Sequence, residues 1–331
     1  MGQPQLGMIT RRVLPLAIQY LGDDPVVLLE GPRSVGKSTL LREVADRCGG
    51  RVLDLDDPAT LDAVAADPVT IIGGDQPVLV DEYQKAPVVL DAIKAELNRG
   101  TRAGRFVLTG STRHDSLPHA AQALTGRLST LTVYPLSQGE LARVHEVFLE
   151  RLLAGDTTHV VGGPDSETSR ADYIERIHLG GFPLAHAAST PAARRRWIDN
   201  YVALTLERDV RELSRLRQGD LLKSLVARLA GQTAQVLNVE KAARDVGLDK
   251  TTADSYLSLL EKVFLLQRLP AWGKTLTSRS AASPKLHMLD SAIAARLLRL
   301  TPSRLGALDP SALTEFGHLL ETFVVAELLK Q

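Results

Sequence analysis

Gly31-Pro32-Arg33-Ser34-Val35-Gly36-Lys37-Ser38-Thr39 matches the pattern G-x-x-x-x-G-K-[ST] with no departure. The apolar run at residues 26–29 precedes it, and residues 38–48 follow with helical periodicity, so the motif sits at a strand-to-helix junction. Gly31 and Gly36 allow backbone conformations that turn consecutive N–H groups towards one point. The positive end of the following helix adds to that anion site. Pro32, Arg33, Ser34 and Val35 complete the expected cradle. Lys37 is expected to reach the β- and γ-phosphates of a nucleotide, and Thr39 to donate towards the α-phosphate. The Ser38 hydroxyl is expected on a magnesium ion that keeps most of its water shell. A chance match in a glycine turn is the competing reading, and the junction argues against it.

Val78-Leu79-Val80-Asp81-Glu82 is the second element. An apolar strand would deliver Asp81 beside the loop, where it can hold the metal through water. Glu82 stands where a carboxylate can polarise an attacking water. An acidic pair merely ending a buried strand is the alternative, and the complete phosphate loop upstream outweighs it. Phe106-Val107-Leu108-Thr109-Gly110-Ser111 is the third element. Thr109 and Ser111 are candidates for a polar group between the carboxylates and the γ-phosphate, or they belong to an ordinary strand-to-loop turn. Arg127, just before a fifth apolar run, is either a guanidinium near the γ-phosphate or a solvated or paired arginine. The sequence contains no Asn-Lys-x-Asp guanine-reading motif, so ATP is the expected nucleotide.

Up to about residue 140, short apolar runs at 26–29, 51–55, 77–80, 105–109 and 128–134 alternate with helical stretches at 14–21, 38–48 and 88–99. That alternation predicts an α/β fold with a parallel sheet covered on both faces. After Pro135 helical periodicity dominates. Residues 155–170 carry loop chemistry and read as a flexible insertion, and residues 171–217 as helices broken by Gly180-Gly181-Phe182-Pro183. Further on, helices at 221–230, 239–246 and 250–263 precede a short strand at 264–269, with Gly247 as a C-cap and Asp249 as an N-cap. This order predicts a winged helix-turn-helix. An amphipathic helix at 319–330 runs uncapped to the end, which predicts that the natural protein continues.

The chain has 331 residues with 44% hydrophobic content, enough for two or three domains with real cores. Lys+Arg and Asp+Glu both number 39, so the overall basicity that counterion release exploits on nucleic acid is missing. Cys48 is a lone thiol, which predicts a reducing, cytoplasmic setting. No apolar h-region of a signal peptide and no membrane-length run is visible. His114, His119 and His186 show no metal-ligand spacing and read as surface or cap residues.

Gly-Pro-Arg-x-Val-Gly-Lys-Ser-Thr at 31–39, Val-Asp-Glu-Tyr-Gln-Lys-Ala-Pro at 80–87, Leu-Thr-Gly-Ser at 108–111, Leu-Thr-Gly-Arg at 124–127 and Tyr-Pro-Leu-Ser-x-x-Glu at 134–140 together resemble a large bacterial and archaeal family. It comprises AAA-like ATP-binding proteins with a C-terminal domain of unknown function. Gly-Gly-Phe-Pro at 180–183, Leu-Glu-Arg-Asp-Val at 206–210 and Pro-Lys-Leu-His-Met-Leu-Asp at 284–290 resemble its second half. The resemblance implies an AAA-like P-loop ATPase core at 1–140 and a helical lid or linker at 141–217. A winged-helix domain would follow at 218–290. The C-terminal helices at 291–331 would open a truncated nuclease-like domain, whose first helix, 317–331, carries Glu321. It also implies that an arginine supplied by a ring neighbour, as in AAA relatives, or Arg127 from within the chain, could serve the γ-phosphate.

The expected function is a Mg-dependent ATPase, turning ATP and water into ADP and phosphate, that acts as a molecular switch on the winged-helix half. The alternative is a nucleotide-sensing adaptor or DNA-binding regulator with negligible turnover. Beyond ATP and ADP the expected partner is a protein, with no membrane. DNA is the weaker expectation, because helix 250–263 is electrically neutral with Asp254 and Glu261 beside Lys250 and Lys262. The basic stretch from Trp272 to Lys285 could still touch phosphates, though the neutral total charge favours a solvated loop or interdomain contact. Arg194-Arg195-Arg196-Trp197 is basic too, but a helix spreads consecutive residues around its axis, and pairs such as Glu207 with Arg211 point to surface ion pairing.

Overall fold

A computed structural model describes residues 7, 9–100, 102–113, 124, 126–156, 158, 167–210, 219–273 and 282–331. The chain divides into two compact units, Thr10–Tyr134 on one side and Met1–Ile9 with Pro135–Gln331 on the other.

The first unit is built on β1 (Val26–Glu30), β2 (Arg51–Asp54), β3 (Val78–Asp81), β4 (Phe106–Gly110) and β5 (Leu128–Thr132). They form one five-stranded sheet in the order β2-β3-β4-β1-β5, and every pair is parallel. β1, β3 and β4 are buried along their whole length, as continuous apolar runs require when both faces are covered. Alternation splits their side chains between the faces. Val26, Leu28, Val78, Val80, Phe106 and Leu108 share a core with Val64, Ile72, Val89, Ile93 and Leu97. Those partners come from α3 (Pro58–Ala66), α4 (Pro68–Ile72) and α5 (Val88–Arg99). α1 (Val13–Asp23) and α2 (Lys37–Cys48) complete the layers, α1 against β1 and α2 against β2, β3 and β4.

Neither α3 nor α4 is read from the apolar pattern, yet each begins with Asp-Pro. Asp57 accepts from the Thr60 amide at 3.0 Å and Asp67 from the Thr70 amide at 3.1 Å, so a side-chain cap and a proline in the first turn start both helices.

The second unit is mainly helical. Its described helices are α6 (Gln138–Ala142), α7 (Phe148–Leu153), α8 (Arg170–Leu179), α9 (Pro183–His186), α10 (Pro191–Leu204), α11 (Gly219–Ala230), α12 (Val239–Val246), α13 (Lys250–Lys262), α14 (Ser291–Leu297), α15 (Pro302–Gly306) and α16 (Pro310–Lys330). A π-helical turn, Thr205–Asp209, extends α10. β6 (Gln235–Val236), β7 (Leu266–Leu269) and β8 (Lys285–Met288) form an antiparallel sheet in the order β6-β8-β7. β6 and β8 are too short and too mixed in composition to be read from sequence. α16 starts at Pro310, seven residues before the helix expected at 317, because Asp309 caps the Ser311 and Ala312 amides at 3.2 and 3.1 Å. Most of the expected loop at 155–170, the middle of the expected wing, His114, His119 and Arg211 lie outside the described residues. Glu207 pairs with Lys223 at 2.8 Å.

Asp290 ties this unit together. It is 3% exposed, and its carboxylate accepts from the Ala292 and Ile293 amides at 2.9 and 3.4 Å as the cap of α14. Its other oxygen accepts from the Gly181 amide at 2.8 Å. Gly180 is required beside it: φ is +63°, and a Cβ there would lie 2.4 Å from an Asp290 oxygen. Replacing Asp290 with alanine removes a cap, about 1 kcal/mol, and leaves a buried N–H unpaired, about 1–3 kcal/mol. Asp290→Ala should therefore lower stability by roughly 2–4 kcal/mol in urea unfolding, and Asp290→Asn should recover part of that loss.

Candidate functional site

The phosphate loop leaves β1 at Glu30 and enters α2 at Lys37. Two close approaches shape it. The Gly31 amide donates to the Gly110 carbonyl at 3.3 Å. A Cβ on Gly31 would sit 2.2 Å from the Val133 carbonyl oxygen, so only glycine fits. Ser34 and Gly36 both have positive φ, +63° and +93°, which folds the intervening amides inward and ends the loop as the cap of α2. Lys37 is buried, and its Nζ donates to the Gly31 and Pro32 carbonyls at 2.9 and 2.8 Å. Its ammonium thus lies across the loop. Pro32 and Val35 are buried beneath the turn, Arg33 and Ser38 are half-buried, and Ser34 and Thr39 face solvent.

Arg11, which sequence reading passes over, holds the loop from below. Arg11 is 6% exposed, and its guanidinium donates to the Val35 carbonyl at 2.6 Å and the Tyr134 carbonyl at 2.6 Å. One planar fork thereby ties the loop to the segment after β5. No local signal marks it, because its partners lie 24 and 123 residues away.

β4 separates β1 from β3, so the carboxylates stand two strand spacings, about 10 Å, from the loop strand. Asp81 ends β3 and is 3% exposed. Thr109, on β4, is fully buried; its hydroxyl donates to an Asp81 carboxylate oxygen and accepts from the Glu82 amide at 3.0 Å. Glu82 itself has φ +53°, an uncommon conformation for a residue with a Cβ. Its carboxylate accepts from the Gln84 amide group and from the Ser111 hydroxyl at 3.4 Å, and Gln84 also donates to Ser111 at 3.1 Å. Thr109, Ser111, Asp81 and Glu82 are therefore brought together as expected, and Gln84 joins them. Its position two residues after Glu82, on the turn that follows β3, is the signal that could have found it.

Tyr83 packs under this cluster. Its ring lies where a Cβ on Gly110 would be 2.8 Å away, and burial together with the nearby charge of Glu30 raises its phenol well above the usual range. It stays neutral and acts as packing. Burial also raises Tyr134, and the charge of Arg113 opposes that rise. Arg113 follows β4 and so lies beyond the sheet end that carries the loop.

Arg127 is a correction to the expectation of a γ-phosphate arginine. It precedes β5, whose first residue, Leu128, pairs with Val26 at the start of β1. The loop leaves the other end of β1, five residues or about 16 Å further along the strands. Arg127 donates instead to the Asn98 side chain at 2.8 Å on an exposed edge, the paired-arginine alternative. In the second unit, the His186 ring lies 2.6 Å from the Gly180 carbonyl. Burial lowers its pKa, a shift that the Gly180 contact and Asp290 oppose.

Two segments of the chain match known families. Residues 23–142 match the model of an AAA domain, and residues 170–304 that of a domain of unknown function, DUF8612. Uncharacterized proteins of Mycobacterium tuberculosis and Mycobacterium bovis are each 27% identical over 305 residues, 92% of this chain. The chain spans 62% of the length of these curated relatives. A Walker-type ATPase of Pyrococcus abyssi has a similar structure, with a TM-score of 0.53 at 15% identity over 89% of this chain and 97% of its own. That likeness concerns the fold alone. The AAA-domain match and the loop support ATP binding. No described helix is long and apolar enough to cross a membrane.

The geometry separates two arginines. Arg11→Met should weaken ATP binding by roughly tenfold, the equivalent of about 1.4 kcal/mol, and speed amide exchange at residues 35–37. Arg127→Ala should leave nucleotide affinity within about twofold, because a neutral-partner surface bond of this kind is worth at most about 1 kcal/mol to stability. Fluorescent-nucleotide titration reads both.

Proposed function

We propose that this chain, an AAA-like P-loop protein with a C-terminal domain of unknown function, is a Mg-dependent ATPase that works as a molecular switch in the cytoplasm. One observation carries the reading. Asp81, Glu82, Thr109, Ser111 and Gln84 form one hydrogen-bonded cluster across the ends of β3 and β4, and β4 pairs with the loop's own strand.

The donor set suits the ion. Ser38 and Asp81 offer hydroxyl and carboxylate oxygens, the hard ligands magnesium prefers, with water filling the remaining positions. Bound magnesium would neutralise charge on the β- and γ-phosphate oxygens. The chain's residues supply the rest. The amides of residues 31–36 and Lys37 bind the phosphates. Thr109 holds Asp81 and the start of Glu82 in register. A water oxygen attacks the γ-phosphorus, the bond to the β-bridging oxygen breaks, and the Glu82 carboxylate accepts the water's proton. Ser111 and Gln84 orient that carboxylate. With Arg127 removed from this role, Arg33 in the loop and Arg113 after β4 are the cations to test for γ-phosphate contact.

We read residues 219–288 as a winged helix. The support is the order α11, β6, α12, α13, β7, β8 and the three-stranded sheet closing it. A protein is the preferred partner for this half. Arg268 is held by Glu261 at 2.8 Å and Lys285 by Glu321 at 2.6 Å, so two cations near the proposed wing are already matched by carboxylates and offer little to DNA phosphates.

Lys37→Ala should abolish ATP binding. Glu82→Gln should retain binding and slow phosphate release by roughly 10²-fold or more, the usual worth of a general base. Parent-rate hydrolysis in Glu82→Gln would remove Glu82 from the role, and phosphate release measured with and without DNA would expose a DNA-driven enzyme.

A further inference from the structure

The second unit contains a cavity of about 510 Å³ walled by α8, α10, α14 and the Arg299–Gly306 segment. Its size falls in the range of small-molecule sites, roughly 300–1,000 Å³. Its floor is apolar: Ile174, Ile198 and Ala292 line it and are each buried to 6% exposure or less. Arginines surround that floor. Arg194, Arg195, Arg296 and Arg299 all line the cavity, with Glu175 as the lining carboxylate.

These guanidiniums are not equivalent. Arg194 donates to the Ala185 carbonyl at 3.1 Å, and Arg296 makes a two-pronged pair with Asp199 at 2.6 and 2.7 Å. His178 is engaged as well, its ring nitrogens 2.8 and 3.2 Å from the Ile174 and Leu300 carbonyls. Arg195 and Arg299 are exposed lining residues, and among the described residues no side-chain hydrogen bond or ion pair holds either guanidinium. Counting Asp199 and Glu175 against the four arginines leaves a surplus of two positive charges around an apolar cavity. A chain that is neutral overall has placed an uncompensated charge at this mouth.

We infer that this cavity is a binding site for a small amphipathic anion, with an apolar body on the Ile174–Ile198 floor and a carboxylate or phosphate head between Arg195 and Arg299. Guanidinium presents paired donors that match both head groups, and the apolar floor rewards burial of a hydrocarbon or ring system. The site lies in the second unit and is independent of the phosphate loop. It would give the domain of unknown function, whose matched segment is residues 170–304, the role of a receptor for a small ligand.

The test is calorimetric titration of the full chain with dodecanoate and with dodecyl phosphate, both below micelle formation, and with dodecanol as the uncharged arm. Either anion should bind with one site per chain, and the preferred head group tells the carboxylate from the phosphate source. The double variant Arg195→Gln/Arg299→Gln should weaken the anion at least tenfold and leave dodecanol unchanged, since a hydrogen bond to a charged group is worth about that factor or more. Ala171→Trp, at an exposed lining position with both arginines intact, should block the anion by volume. Unchanged melting temperatures establish that both variants fold. Dodecanol binding as tightly as the anions, anion affinity unaltered in the double variant, or no binding of any probe to the parent would each overturn the inference.

Discussion

Everything at the candidate site depends on one strand lying between two others. Because β4 is inserted between β1 and β3, the strands that carry the phosphate loop and the acidic pair lie two spacings, about 10 Å, apart. That separation leaves room for a hydrated cation and the terminal phosphates. The inserted strand also contributes Thr109 at the level of the gap. A single buried hydroxyl there satisfies both the Glu82 amide and the Asp81 carboxylate. A fully buried polar group is costly without partners, so this pair of bonds fixes the carboxylates as firmly as the sheet fixes the loop.

The same geometry explains what was legible beforehand. The loop motif, the apolar strand before Asp81 and the hydroxyls after β4 are local patterns, each set by strand burial and turn chemistry, and residues 31–39, 81, 82, 109 and 111 could be read from them. Strand order could not, since it depends on which runs become neighbours. Arg127 shows the cost of that. Its Gly-Arg context before an apolar run reads equally well at either end of a strand, and only the pairing of Leu128 with Val26 places it away from the loop. Arg11 was invisible for the opposite reason: its bonds span 24 and 123 residues, and nothing around it in sequence differs from an ordinary basic residue. α3 and α4 were legible in principle, through Asp-Pro caps rather than through apolar periodicity.

In the second unit, Gly180-Gly181-Phe182-Pro183 and Asp290 are far apart in sequence and meet in one place. Gly180 leaves room for the carboxylate, Gly181 donates to it, and Pro183 starts α9. A buried carboxylate satisfied by backbone amides is a strong fixed point. The helices carrying the cavity are built out from it, α14 directly from its cap and α8 through the turn at Gly180. Two of the helices that line the cavity are therefore anchored at one buried carboxylate.

Manganese, a spin probe for magnesium, tests the pairing of loop and carboxylate most directly. Electron paramagnetic resonance of the full chain should show tight Mn²⁺ binding only when ATP is present. Asp81→Asn, which can still accept from Thr109, should retain ATP yet lose most of that metal signal. Equal Mn²⁺ affinity in parent and Asp81→Asn, with ATP bound to both, would contradict the placement of the metal between Ser38 and Asp81.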